Sequence, residues 1–329
     1  MNEKVMTICG EVDADSLGRI LPHEHLASSY GGWNRLESEQ NPEWKKVVMD
    51  KYIPMLTTLR QEHDCNTYCE VTPGWGCRGP KDLEMWAEIS QRSGVHVVAS
   101  TGYFFEVKPT DFMERPISEI ADGMIRDIEE GMEGTCIRAG LIKIGAGNKP
   151  DDIKLLKAAA ITHKATGAPI TTCGQWDLKQ LELLEAEGVN PERVYFGHPS
   201  ILESLLELLE IMKHGCNVIF TLWRINDTPK VRSIINWKST VFPRHYASIL
   251  VATLIAEGHL DQTLISIDHS AMSGFDGNRL LVDLYDMDDR TPLHIFTEVI
   301  EDLKSFGVTD EAIEHMLRVN GRKMLIKKT

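Results

Sequence analysis

The sequence predicts an α/β protein built as one (β/α)8 barrel, a TIM barrel, with residues 1–329 forming a single domain. Three observations predict it. Short β-rich runs alternate with longer helical patterns, which argues for a parallel sheet. Eight strand candidates occur, most followed by a helix, and eight such units close a barrel. Side chains able to hold a metal fall in or at the ends of five of those strands, and in a barrel the carboxyl ends of the strands meet at one mouth. A doubly wound open sheet is the alternative. It calls for a glycine-rich phosphate turn after its first strand, and none is present.

The first strand candidate is Ile20-Leu21-Pro22-His23-Glu24-His25-Leu26, a short apolar run ending in two histidines one residue apart. Thr67 to Val71 is the second, closed by Pro73-Gly74, and Lys81 to Gln91 has helical composition and stops before Gly94. Val95 to Ser100 is apolar and β-branched and ends at Thr101-Gly102; Ile117 to Met132 is amphipathic. Leu141 to Ile144 is a strand closed by Gly145. The helix Asp151 to Lys164 starts after Pro150, sets Ile153, Leu156 and Ala160 on one face, and stops at Gly167. Pro169 to Thr172, Arg193 to Phe196, Asn217 to Leu222 and Leu264 to Ile267 complete the strands. Between them lie helical patterns over Asp177 to Glu187 and after Ser200. In the second, Leu202, Leu205, Leu206, Leu209 and Met212 follow the i, i+3, i+4 spacing. Leu293 to Ser305 and Asp310 to Val319 are further helices.

A chain of 329 residues, 42% hydrophobic, is long enough for a large buried core and normal in size for one α/β barrel. Its formal net charge of -14 argues against a nucleic-acid partner, which calls for a basic stripe. An anionic small substrate remains compatible, because a metal or a local arginine overrides the global field. Cys9, Cys65, Cys69, Cys77, Cys136, Cys173 and Cys216 are odd in number and form no C-x-x-C pair, which points to a reducing compartment. No signal peptide and no membrane-spanning run are expected, so the cytoplasm is the expected location.

The chemistry-bearing residues cluster by strand. On an extended strand His23 and His25 face the same side and present two imidazoles, the commonest metal ligands. Lys143 lies inside Leu-Ile-Lys-Ile, Cys173 closes strand five, His198 closes strand six and Asp268 closes strand eight. A lysine in an apolar strand is costly to bury as an ammonium. It has three readings: a carboxylate partner, a Schiff-base amine, or a carbamate formed with carbon dioxide that bridges two metals. Nearby histidines and an aspartate favour the carbamate. Asp268 either pairs with an arginine or ligates a metal and accepts the proton of its water. His198 is equally readable as a hydrogen-bonded loop histidine. His269 falls on the other face of its strand, so no ligand role is expected. The remaining eight histidines fall mostly in helices and loops.

These pieces resemble a known family. GRILPHEHL from Gly18, GTCIRAGLIKIG from Gly134, TGAPITTC from Thr166, EGVNPERVYFGH from Glu187 and ISID from Ile265 are similar, in order, to the phosphotriesterase family of the amidohydrolase superfamily. The resemblance implies an amidohydrolase-type barrel with two divalent cations at the carboxyl ends of the strands, most simply zinc, with manganese or cobalt as alternatives. It implies one cation on His23, His25 and Asp268, a second on His198, and Lys143 as N6-carboxylysine between them. The family has a histidine at the end of strand five where this chain has Cys173. Thiolate is a good zinc ligand, so a second cation is retained, although with shorter reach and more negative charge. An inert core cysteine beside a one-metal site is the other reading.

The activity implied is metal-dependent hydrolysis of carboxylic esters or lactones, with organophosphate esters as side substrates. A hydroxide held between the metals attacks and Asp268 removes the proton. Tyr103, Phe104 and Phe105 follow strand three as an aromatic wall, Phe104 at a position where the family places an aromatic residue against substrate. Trp223 and Arg224 follow strand seven, and Arg224 aligns with an arginine of the lactonase branch. The expected partner is a small-molecule ester, and the resemblance suggests a homo-oligomer. Two rivals are a lyase or aldolase using Lys143 as a Schiff base, and a metal-binding homologue that has lost catalysis.

Overall fold

The structure is a computed structural model and describes residues 3–26, 42–104, 107–173, 178–199, 205–221, 223, 245–269, 275–276, 279–280 and 291–327. An antiparallel hairpin, β1 (Lys4–Thr7) with β2 (Gly10–Asp13), precedes the barrel and was not anticipated from the sequence. Eight strands then pair in chain order, all parallel: β3 (Arg19–Glu24), β4 (Cys65–Glu70), β5 (His96–Phe104), β6 (Leu141–Gly145), β7 (Ile170–Cys173), β8 (Val194–Gly197), β9 (Asn217–Phe220) and β10 (Thr263–Ile265). All eight predicted strands are present. The ring closes where β10 meets β3: the His25 N–H donates to the His269 carbonyl at 2.8 Å, and the Asp268 N–H to the His23 carbonyl at 3.2 Å.

Helices cross between the strands: α1 (Pro42–His63), α2 (Pro80–Ser93), α3 (Ile117–Glu129), α4 (Pro150–Thr166), α5 (Leu178–Ala186), α6 (Leu205–Lys213) and α7 (Tyr246–Ala256). Two further helical runs follow, Ile295–Ser305 and Asp310–Leu325, each with a π-helical segment, Ile295–Val299 and His315–Asn320. The starts and stops follow local chemistry. Pro80 and Pro150 open α2 and α4, where the absent N–H costs nothing. Asp82 and Asp152 accept the Gly79 and Lys149 N–H groups at 2.9 and 3.2 Å. Gly94 and Gly167 end the same two helices at φ 73° and 68°, in the left-handed region. None of the described helices is long and apolar enough to cross a membrane.

Two apolar layers fix which way each strand residue faces. The inner one joins Ile20, Cys69, Val98, Leu141, Tyr195, Ile219 and Leu264, covered by Val5 and Leu17 and by Met324 and Leu325. The outer one joins the alternate residues, such as Leu21, Tyr68, Val97, Ile142, Phe196 and Phe220, to the helices. Two face assignments need correcting. Ile153 does not share the buried face of Leu156 and Ala160: it is 38% exposed, while Leu155, Ala158 and Ala159 are buried. In α6 Leu206 is 78% exposed, and Leu208, Ile211 and Met212 form the buried face. In both cases several apolar faces fit the sequence, and only the barrel wall selects one. Leu202 lies outside the described residues.

Candidate metal centre

β3 does not alternate regularly. Between Leu21 and Glu24 it advances three residues while β4 advances two, from Tyr68 to Glu70. Pro22 sits in this bulge and has no N–H to give a ladder. The extra residue resets the face. Leu21 points to the helices, yet His23 two residues later reaches the interior, and His25 follows it. Without the bulge the two imidazoles would share the outward phase of Leu21.

The other groups arrive by regular alternation. Lys143 shares the inward phase of Leu141 on β6 and is 1% exposed. Gly102, its partner on β5, makes room: a Cβ there would lie 1.9 Å from the Lys143 carbonyl oxygen, and φ is 129°. Gly197 does the same on β8, where a Cβ would lie 2.7 Å from the His23 ring. Just past their strands, His198 and Asp268 both take left-handed backbone, φ 63° and 60°. Residues other than glycine adopt that conformation when their surroundings impose it, often at functional sites.

The side chains converge. Asp268 Oδ1 lies 3.2 Å from His25 Nε2 and 3.8 Å from His23 Nε2, and Oδ2 lies 3.8 Å from His198 Nε2. Candidate ligand atoms of His23, His198 and Asp268 all fall within 4.8 Å of one another. The Lys143 amine is 2.8 Å from His23 Nε2. Cys173 and Cys77 line the same cavity, with Val71, Pro73 and Phe104 as its apolar side.

Hydrogen bonds behind the rim set the tautomers. With Glu70 ionised, the Thr72 hydroxyl donates to its Oε1 at 2.6 Å and accepts from His25 Nδ1–H at 2.7 Å. That leaves the Nε2 lone pair of His25 facing the cavity. His198 Nδ1 is likewise 2.5 Å from the Thr221 hydroxyl. Such outer partners are what orient imidazole on a metal. Arg78, fully buried, donates to the carbonyls of Thr72 and Ser100 at 3.2 and 2.8 Å and to Glu133 at 2.7 Å, which ties the ends of β4 and β5 together.

Protonation states suit cations. Burial, with Lys143 adding to it, holds His23 well below the usual imidazole range, and burial also lowers His25. Burial brings His198 down to about 4. All three are thus neutral and able to ligate. Burial lowers the Lys143 ammonium, opposed by Cys173 and Asp268, and so favours the free amine. Burial alone would raise Asp268, but His198, His25 and Lys143 outweigh it and keep the carboxylate anionic. Burial pushes the Cys173 thiol up to about 11, so a cation must displace its proton to bind there. His23 Nδ1 is buried with no hydrogen-bond partner among the described residues. Three imidazoles held neutral by burial around one carboxylate, beside a lysine amine whose proton burial loosens, fit divalent cations and serve little as internal packing.

Of the predicted site residues, His25, Lys143, Cys173, His198 and Asp268 line one cavity with Phe104 on its wall, and His23 lies buried against Lys143, His198 and Asp268. Tyr103 is not: it occupies the opposite phase of β5 and packs edge-on against Phe112, ring centroids 5.3 Å apart. Trp223 is also withdrawn, buried with its indole N–H on the Ser266 carbonyl at 2.6 Å. Phe105 and Arg224 lie outside the described residues. His269 faces away, its ring 5.6 Å from Tyr52. Sequence reasoning missed Thr72, Glu70, Thr221, Glu24 and Cys77. A carboxylate inside the apolar His-Glu-His run was the one available signal.

A (β/α)8 barrel carrying this rim is a metal-dependent hydrolase in class. The chain matches the phosphotriesterase family over residues 3–325 and belongs to it. It is 27% identical over 314 residues to the phosphotriesterase homology protein of Escherichia coli, covering 93% of this chain and 97% of that protein. It is also 27% identical over 325 residues to an aryldialkylphosphatase of Saccharolobus solfataricus, covering 95% and 96%. The solved structure of a mutant organophosphorus hydrolase from Deinococcus radiodurans superposes with a TM-score of 0.82 at 27% identity, over 98% of this chain and 96% of that one.

Proposed function

We propose that this hydrolase acts on carboxylic esters, including lactones, and cleaves organophosphate esters as a side reaction. The observation that carries the reading is the convergence of three neutral imidazoles on Asp268 beside the buried amine of Lys143. The cavity wall of Val71, Pro73 and Phe104 suits an apolar acyl or leaving group.

His23, His25 and Asp268 would hold one divalent cation, and His198 and Cys173 the second, with zinc the best match to these donors and manganese or cobalt as alternatives. Lys143 would lie between them as N6-carboxylysine. Its free amine adds to carbon dioxide, a C–N bond forms, one proton departs, and a cation-prone group becomes a two-oxygen anion. Bound cations supply Lewis-acid polarisation of the scissile oxygen and a water acidic enough to attack near neutral pH. Asp268, anionic and 3.2 Å from His25, is placed to take the proton of the attacking water. Phe104 lines one side of the cavity. A reducing, cytoplasmic setting is supported by seven free cysteines, and the acidic surface favours a small-molecule partner over nucleic acid.

The test is an ester, lactone and organophosphate panel with added zinc, manganese or cobalt, run on wild type and Asp268→Asn. The expected result is metal-dependent turnover, highest on carboxylic esters or lactones, reduced by roughly 100- to 10,000-fold in the variant with folding intact. Wild-type rates in Asp268→Asn would overturn its proton role, and a preference for organophosphates would overturn the substrate assignment.

A further inference from the structure

Glu24 stands between the two histidines of β3, is fully buried, and faces neither the cavity nor solvent. Its Oε1 accepts the Ser266 hydroxyl at 2.7 Å and the Ile267 N–H at 2.7 Å; its Oε2 accepts the His269 N–H at 2.8 Å. No lysine or arginine pairs with it among the described residues. A buried carboxyl with no cation beside it is costly unless hydrogen-bond donors satisfy it, and Glu24 takes three of them from one short segment. What they have in common is the segment around Asp268. The peptide N–H groups on either side of that residue both end on Glu24, while the Asp268 N–H itself ends on the His23 carbonyl. Ser266 completes the seam, because its hydroxyl oxygen also accepts the His23 N–H at 3.0 Å.

Resting on the metal-hydrolase reading above, the geometry points to Glu24 as a positioning residue that holds Asp268 in its left-handed conformation and so fixes the carboxylate against His25 and His198. The backbone at φ 60° is uncommon outside glycine, and although aspartate tolerates it better than most residues, it competes with the ordinary extended and helical conformations. Glu24 spans the β3–β10 join, where ligands from the first and last strands must keep register with each other. Relaxation of Asp268 to an ordinary extended or helical φ would swing its carboxylate out of the rim without disturbing the strands. One residue thereby couples His23, His25 and Asp268 into a single ligand set.

Glu24→Gln keeps the shape and removes the match. Its carbonyl oxygen can retain the two donors at Oε1, but its NH2 then opposes the His269 N–H. Cobalt(II) binding, read from the visible d–d spectrum and by competition with a chelator, reports the ligand set without any substrate. The expected result is a 10- to 100-fold loss of cobalt affinity and an altered d–d spectrum, a typical cost of losing an outer partner. Asn320→Ala is the structural control. It cuts two bonds of 2.7 Å to the carbonyls of Leu260 and Thr263 at the far end of the same strand, and should leave cobalt affinity within twofold of wild type. If Glu24→Gln does not fold, Ser266→Ala, which removes one hydroxyl from the seam, should weaken cobalt binding by roughly 3- to 10-fold. Glu24→Gln or, failing it, Ser266→Ala with wild-type affinity and spectrum would overturn the inference. An equal loss in Asn320→Ala would do so too, by showing general destabilisation. Wild-type protein that takes up no cobalt would instead bring down the metal reading itself.

Discussion

Replacing Thr72 by valine removes one oxygen and keeps the shape of the side chain, and the structure predicts a weaker metal site. The hydroxyl relays between Glu70 Oε1 at 2.6 Å and His25 Nδ1 at 2.7 Å. Glu70 keeps the N–H groups of Leu26 and Thr72, both at 3.2 Å, so it is not stranded. His25 is the loser: its Nδ1–H is left buried opposite a methyl group. One unsatisfied buried donor costs about 1–3 kcal/mol of stability. In metal binding, loss of the partner that orients the ring costs roughly 10- to 100-fold, about 1.4–2.7 kcal/mol. The assay is zinc or cobalt competition against a chromophoric chelator, paired with thermal unfolding of the apo-protein. Because the hydroxyl acts between the imidazole and the carboxylate, Thr72→Val and Glu70→Gln should be non-additive in a double-mutant cycle. Unchanged metal affinity in Thr72→Val, or effects that simply sum with Glu70→Gln, would refute the relay.

Three other perturbations probe separate parts of the site and the fold. Gly102→Ala forces a Cβ to within 1.9 Å of the Lys143 carbonyl oxygen at a φ of 129°, so it should destabilise by several kcal/mol, read as a large drop in Tm or loss of folded protein. Cys173→Ser should reduce bound metal from two toward one per chain and abolish thiolate-to-cobalt charge transfer in the near ultraviolet; two retained equivalents would return Cys173 to the role of an inert core residue. His163, away from the site, donates from Nδ1–H to the Ala168 carbonyl at 2.7 Å, and burial lowers its pKa from 6.5. With the folded value depressed, the unfolded chain binds more protons below pH 6.5. The contribution of His163 to stability is therefore full above that pH and is lost as pH falls through the folded value. Wild type should lose Tm relative to His163→Gln between pH 7.5 and 5, and parallel curves would contradict this.

Much of this molecule was legible in its sequence because the barrel repeats a local pattern. All eight parallel strands were placed by alternation and by glycine, proline and capping signals, while the ligand set at their ends rested on the resemblance of five segments to a known family. Four features were not legible, each for a physical reason. The β3 bulge depends on pairing with β4, so residue counting along one strand cannot show it. α1 carries Pro54 inside it, and α7 is rich in β-branched residues, so both contradict local helix preference and are held by packing on the barrel. The outer partners of the imidazoles lie far off in sequence, Thr72 by 47 residues from His25 and Thr221 by 23 from His198, and carry no motif. Tyr103 and Phe104 differ by a single step on β5, and only the register with β6 decides which of them meets the cavity.

Crystals grown with zinc and bicarbonate, and measured at the zinc absorption edge, test most directly whether the rim holds cations. Anomalous peaks are expected among His23, His25, His198 and Asp268, one of them reaching Cys173, together with a carboxylate on the Lys143 nitrogen. Side chains in the same places with no anomalous signal, and a bare amine on Lys143, would contradict it.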